Sequence, residues 1–353
     1  MGGGSAAESQ AMGAGVRASR SFLHPGAAAA RNTSMRFRGA ALSLIAAVCL
    51  AQDFRTEVHL VNVGFSVRDA GGQFVTALAQ DDFEVFEDGA PQKIAFFARS
   101  ADVPLDLGLI ADFSGSQEGF VKPHHKDLDT FLKKVLTARD RAFLVCFGNH
   151  IRLAQDYTSS PGELIDALHH FEKGSYDFPE LGPRERRTLG TAFYDAIFYS
   201  IEHFVEPGLA ASERTRKALV IFSDGEDNSS GHHMMEAVEA AQSNDVLLFP
   251  IRYTETLKGG PIARNRYGAM VMSRIAKETG GADFNAREKG LASDFEQIGE
   301  QLRSSYQIAY HSTNPQSDES FRKVQIRVKQ TGYTVRAKTG YYAKSLDAET
   351  RRR

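Results

Sequence analysis

Leu105-Asp106-Leu107-Gly108-Leu109-Ile110-Ala111-Asp112-Phe113-Ser114-Gly115-Ser116 is an apolar, β-leaning segment that delivers an Asp-x-Ser-x-Ser loop. Three oxygen-bearing side chains therefore leave one strand end together. With Asp112, Ser114 and Ser116 pointing one way, Phe113 turns back toward the core and Gly115 lets the backbone turn tightly. Taken alone, these residues also suit an ordinary turn with a helix cap. Two further segments favour a metal site: Thr191 in Leu189-Gly190-Thr191, and Asp224 at the end of Ala218-Leu219-Val220-Ile221-Phe222-Ser223-Asp224. Hydroxyls and carboxylates are hard donors for Mg²⁺, Mn²⁺ or Ca²⁺, and Mg²⁺ takes six ligands at about 2.0–2.1 Å while keeping several waters. An ion held by only two carboxylates keeps positive charge and attracts one more anionic oxygen.

Outward from that loop, strands alternate with amphipathic helices, the pattern of a mostly parallel sheet covered on both faces. Leu128, Phe131, Leu132, Val135 and Leu136 fall on one helical face. Strands are expected at 142–147 and 151–154, then a helix opened by Ser160 as cap and Pro161 in the first turn, carrying Leu164, Ile165, Leu168 and Phe171. A polar segment, 172–187, reads as a mobile surface loop leading into Thr191. Phe193, Ile197, Ile201 and Phe204 mark the next helix, 218–222 a strand, 233–242 a helix, 246–251 a buried strand, and 269–279 and 291–304 two more helices. Ligands bind such open sheets at the carboxyl ends of their strands, where Asp112 and Asp224 fall.

Both ends of the chain read differently. From Thr56 to Phe97 short β-type runs, 58–63 and 83–86 among them, are separated by turn signals at Ala70-Gly71-Gly72 and Asp88-Gly89. Strand texture returns at 306–310, 321–328 and 333–337, where Val324, Ile326 and Val328 alternate with polar residues. Three short strands at each end are too few for an independent core but enough, pooled, for a sandwich. The expectation is a discontinuous β domain, 53–100 with 305–343, holding an α/β domain at 103–304. The alternative is that the C-terminal strands only decorate the α/β domain.

The ligand set Asp112, Ser114, Ser116, Thr191 and Asp224 resembles, in order and spacing, the metal-ion-dependent adhesion site of von Willebrand factor type A domains. More narrowly, Asp81-Asp82-Phe83-Glu84-Val85-Phe86-Glu87-Asp88-Gly89 before the domain and Gly340-Tyr341-Tyr342 after it resemble a bacterial secreted subfamily. The likeness runs from about residue 53 to 343. It implies a doubly wound α/β fold with a bound divalent cation, and a protein ligand whose acidic residue completes the cation's coordination. Leu189 stands where the second motif often has another glycine, which implies a stiffer loop with the Thr191 ligand intact.

Of the 353 residues, 42% are hydrophobic and 24% charged, ordinary for globular protein with room for two domains. Net charge is −2, and the basic clusters at 184–187 and 351–353 fall in a loop and a tail, so no nucleic-acid surface is indicated. Arg36 and Arg38 precede an apolar run, 40–51, that ends in small residues, the order of a secretory signal peptide at 35–51. Twelve residues are too short to span a bilayer, and no span is expected in the mature chain, which is placed outside the cell or in the periplasm or envelope. Residues 1–34, rich in Gly, Ala and Ser, read as a disordered leader or a misassigned start before Met35, and 344–353 as a disordered tail. Cleavage after Ala51 leaves Cys146 as the sole cysteine; the alternative is a lipid anchor at Cys49.

The histidine doublets 124–125, 169–170 and 232–233 lack His-Glu-x-x-His or cysteine spacing, and neighbours on a helix point apart, so they read as surface residues. His232 borders the expected site. Glu226, Asp227 and Asn228 read as a solvated turn capping the following helix. Neither a Gly-x-Ser-x-Gly elbow nor a phosphate loop is present in the sequence. Three functions remain: a metal-dependent binding module, not an enzyme, which is the primary reading; a metal-dependent hydrolase; and a structural envelope domain.

Overall fold

The computed structural model describes residues 60–99, 103–115, 125–174, 177–183, 190–205, 215–252, 263–286, 290–314 and 316–343. The leader, the signal segment with Cys49, Ser116, Gln117, Leu189, the 184–187 cluster and the 344–353 tail lie outside them. Among the described residues no helix is long and apolar enough to cross a membrane.

Strands β1 (Leu60–Arg68), β2 (Phe83–Glu87), β3 (Ala90–Gln92) and β4 (Ile94–Arg99) come first. The middle of the chain holds β5 (Leu105–Asp112), α1 (His125–Val135), β6 (Arg141–Phe147), β7 (Ile151–Thr158), α2 (Pro161–Glu172) and α3 (Phe193–Val205). It continues through β8 (Arg216–Ser223), α4 (Met234–Ser243), β9 (Val246–Arg252), α5 (Ala263–Thr279), β10 (Phe284–Asn285) and α6 (Leu291–Arg303). Strands β11 (Ser305–His311), β12 (Phe321–Val328), β13 (Thr334–Ala337) and β14 (Gly340–Tyr342) follow.

The central sheet runs β10-β9-β8-β5-β6-β7. Every neighbour is parallel except β7, which pairs antiparallel with β6 at the edge. Alternation along the strands divides the core. Leu107, Leu109, Val220 and Phe249 face α1, α2 and α6, while Ile110, Leu219, Ile221 and Leu248 face α3, α4 and α5. Both layers are dry because each central strand buries nearly every side chain, the signature of a sheet covered twice.

The chain ends form two four-stranded sheets, β13-β1-β11-β4 and β14-β12-β2-β3, each mixing N- and C-terminal strands around one core of Val63, Phe65, Phe83, Val85, Tyr306, Ile308 and Ile326. Each end supplies four strands, not the three read from sequence. The extra ones, β3 and β14, are three residues long and show no apolar alternation. Their pairing also explains the two flanking motifs. Glu87 at the end of β2 accepts from Tyr310 (2.8 Å) and Tyr341 (2.9 Å) and pairs with buried Arg322 (3.4 Å). Asp88 and Gly89, both at positive φ, form the tight β2–β3 turn.

This sandwich meets the α/β layer where its strands begin. Gly64 N donates to Asp245 Oδ1 (3.2 Å) just before β9, Lys338 Nζ to the Gln242 carbonyl (2.8 Å), and Thr339 N to the Glu278 carbonyl (3.1 Å). The opposite ends of β5 and β8 carry Asp112 and Asp224.

Candidate metal centre

Asp112 is the last residue of β5 and is fully buried. Ser114 N donates to its Oδ1 (2.8 Å), which curls the loop back over the strand end, and Ser223 Oγ donates to its Oδ2 (2.6 Å). Ser223 was not foreseen. Ala111 lies opposite Phe222 in the parallel register, so Asp112 and Ser223 are level on adjacent strands and face the same side. Phe113 N donates to the Phe147 carbonyl (2.7 Å), anchoring the loop to β6.

Asp224 follows β8 and is 5% exposed; its Oδ1 accepts from Glu226 N (3.1 Å). The backbone of α5 closes on this turn so tightly that a Cβ on Gly268 would stand 2.1 Å from the Asp224 carbonyl oxygen. Thr191, also buried, precedes α3 and is laced to the Asp224 loop: Thr191 N donates to Asn228 Oδ1 (2.7 Å), and its carbonyl accepts from Asn228 N (3.1 Å) and Ser229 N (3.2 Å). Gly190 makes that contact possible, with φ of 122° and no room for a Cβ, which would lie 2.5 Å from Asn228 Oδ1.

The same loop caps α3, correcting the expectation that 226–228 caps the helix after it, whose N-cap is His233. Asp227 Oδ1 accepts from Tyr194 N (3.3 Å) and Ser230 Oγ from Asp195 N (3.0 Å). Buried Asp195 in turn accepts from Gly231 N, His232 N and His232 Nδ1 at 2.9, 2.9 and 2.7 Å. His232, stacked on Phe198 with ring centroids 3.8 Å apart, is thereby held against α3.

Burial pushes the Asp112 carboxyl up to about 6, hydrogen bonds from Ser114 and Ser223 offset part of this, and the charge of Asp224 adds to the rise. Two carboxylates thus repel each other at adjoining strand ends, and Asp112 is hydrogen-bonded by an amide and hydroxyls rather than by a basic side chain. That donor chemistry fits a hard divalent cation. Asp112, Ser114, Thr191 and Asp224 lie on three loops at one end of the sheet, while Ser116 lies outside the described residues.

Within the sheet, numbered from β5, the order is 3-2-1-4-5-6 with one antiparallel edge strand, and the oxygen donors stand at the carboxyl ends of its first and fourth strands and before the α3 helix. Strand order and donor placement together resemble the fold of von Willebrand factor type A domains. No family model matches the chain, and no curated protein matches it. Solved structures similar to it include BatB from Bacteroides thetaiotaomicron, 14% identical over 56% of this chain and 97% of that one, with a TM-score of 0.40. The VWA domain of SpRpn10 is 12% identical over 55% of this chain and 94% of its own, at 0.36. Proximal thread matrix protein 1 from the mussel byssus, with a zinc-occupied MIDAS motif, is 14% identical over 61% of this chain and 49% of its own, at 0.40. The resemblance to the type A fold rests on this chain's own strand order and loop placement.

His170 and His233 are exposed, as the surface reading expects, but His125, His169 and His232 depart from it. His125 and His169 are half-buried and meet each other and Glu172 between α1 and α2. Their 44-residue separation hid the contact; only the packing of the two helices reveals it.

Proposed function

We propose that the chain binds a partner protein through a divalent cation held by Asp112, Ser114, Ser116, Thr191 and Asp224, and that an acidic side chain of the partner completes the coordination. The carrying observation is the pair of buried strand-end carboxylates, one of them pushed up to about 6 by burial and its neighbour's charge. A cation there relieves both costs, and two carboxylates leave it with positive charge for an incoming Glu or Asp. The ion supplies that electrostatic link. The protein's loops fix the donors beforehand, which lowers the ordering cost of binding.

The surroundings suit a protein ligand. Beside Phe113 opens a cavity of about 350 Å³, lined by Phe171, Phe178, His150, Arg152 and Asp177. Aromatic walls with a few polar groups offer a side-chain pocket next to the ion. A metal-dependent hydrolase is the second reading, since a carboxyl near 6 suits a general base. A carboxylate that ligates the ion is not free for that task, so binding without turnover is the reading adopted. The segment 35–51 supports export to the envelope or medium, and Mg²⁺ is the proposed resident ion.

The test is capture from envelope extract by the purified chain in Mg²⁺, in chelator and with Asp112→Ala. The captured partner's acidic residues are then replaced singly by amides. Binding should vanish with chelator, with Asp112→Ala and with one amide replacement. Capture that survives all three, or turnover of a hydrolysable substrate that disappears in Asp112→Ala, contradicts the proposal.

A further inference from the structure

His125 opens α1, and His169 and Glu172 stand in the last turn of α2, three residues apart and so on one helical face. One ligand atom from each of the three lies within 4.8 Å of the others. His125 Nε2 is 2.9 Å from Glu172 Oε1, and the two imidazoles pack edge to face with centroids 4.2 Å apart. The side chains of His125 and Glu172 are 12% and 15% exposed, shielded from bulk water yet reachable by an ion.

We propose that His125, His169 and Glu172 form a second metal site, selective for zinc or a similar borderline transition ion, separate from the oxygen-only site at Asp112. Two imidazoles and one carboxylate are zinc's preferred donors, at about 2.0–2.2 Å, with the fourth tetrahedral position left to water or another ligand. Ligand atoms around such an ion are about 3.4 Å apart, close to the spacing of up to 4.8 Å at which these three atoms already stand. The end of α2 also favours a cation, because its last carbonyls carry partial negative charge. Donor type favours zinc over Mg²⁺ at the imidazole pair, while an excess of Mg²⁺ competes for the oxygen-only site at Asp112.

The ion would clamp the start of α1 to the end of α2. Phe171 of α2 packs on Phe113 of the Asp112 loop with ring centroids 4.8 Å apart, and in sequence α1 directly follows the segment carrying Ser116. Zinc at this clamp therefore braces one side of the Mg²⁺ site.

Cobalt(II), a spectroscopic substitute for zinc, is titrated into the metal-stripped whole chain with Mg²⁺ in excess, and zinc affinity is then read by displacement. One equivalent of cobalt should give the intense visible bands of a tetrahedral, nitrogen-ligated ion, displaced by one equivalent of zinc. His125→Ala, His169→Ala and Glu172→Gln should each weaken zinc at least tenfold. The last keeps the side chain's shape and hydrogen-bonding capacity, so its loss reports ligation rather than folding. His170→Ala, on another face of the helix, should change nothing. Asp112→Ala should leave the cobalt spectrum intact, which keeps this site's test apart from that of the Mg²⁺ site. Absence of the tetrahedral spectrum in the parent, equal loss in His170→Ala and His169→Ala, or disappearance of the spectrum in Asp112→Ala would overturn the proposal.

Discussion

Replacing Asp112 by Asn should make the metal-free protein more stable at neutral pH and leave it indifferent to Mg²⁺. The carboxyl is pushed from 3.8 to about 6 by burial and by Asp224. A folded-state pKa above the unfolded one means that the folded state holds its proton more tightly. The associated stability is full below about pH 4 and is lost as pH rises through 6. Above that, the ionised group costs about 3 kcal/mol, at 1.36 kcal/mol per pH unit. Asp112→Asn removes this cost. Its oxygen can keep the bond from Ser114 N, whereas its amide nitrogen faces Ser223 Oγ, a donor that must turn away at a cost of about 1 kcal/mol. The net gain is about 2 kcal/mol, or about 4–8 °C in Tm for a domain of this size. Mg²⁺ at a hundred times its Kd stabilises the unsubstituted protein by about 2.7 kcal/mol and the variant not at all, so the order of stabilities reverses. Thermal melts of both proteins at pH 5 and 7.5, in chelator and in Mg²⁺, give the eight values needed. A variant no more stable than its parent in chelator at pH 7.5, or equal Mg²⁺ gains in both, would refute the electrostatic reasoning.

Gly190→Ala should weaken Mg²⁺ binding and cost about 1–3 kcal/mol of stability, because it forces a side chain into positive φ and against Asn228; titration and denaturant melts read the two effects. Arg322→Met should cost about 3–5 kcal/mol by stranding the Glu87 carboxylate in the sandwich, yet leave Mg²⁺ affinity unchanged, because the sandwich meets the opposite end of the sheet. A parallel fall in Mg²⁺ affinity would show that the two ends are coupled. N-terminal sequencing of protein recovered from the envelope should begin just after Ala51; a chain still carrying Ser34 would refute export by the 35–51 segment.

The α/β layer was legible because its signals are local. Apolar strands alternate with 3.6-period helices, and Asp112, Thr191 and Asp224 stand next to them in sequence. Supports that cross between elements were not legible. Ser223 orients Asp112 only through the register of β5 with β8, and Asp227 and Ser230 cap α3 from a loop more than thirty residues away. The sandwich was visible as β texture but not in strand number, since Ala90–Gln92 contains a proline and too few residues for alternation to appear. The two flanking motifs became intelligible once Glu87 and Tyr341 met, 254 positions apart.

Calorimetric titration of Mg²⁺ into the metal-stripped chain tests the central claim most directly. One site is expected, lost in Asp112→Ala and in Asp224→Ala with the fold retained, and weakened more modestly in Ser114→Ala, Ser116→Ala and Thr191→Ala, where water replaces a neutral donor. Unchanged Mg²⁺ affinity in folded Asp112→Ala would contradict the account.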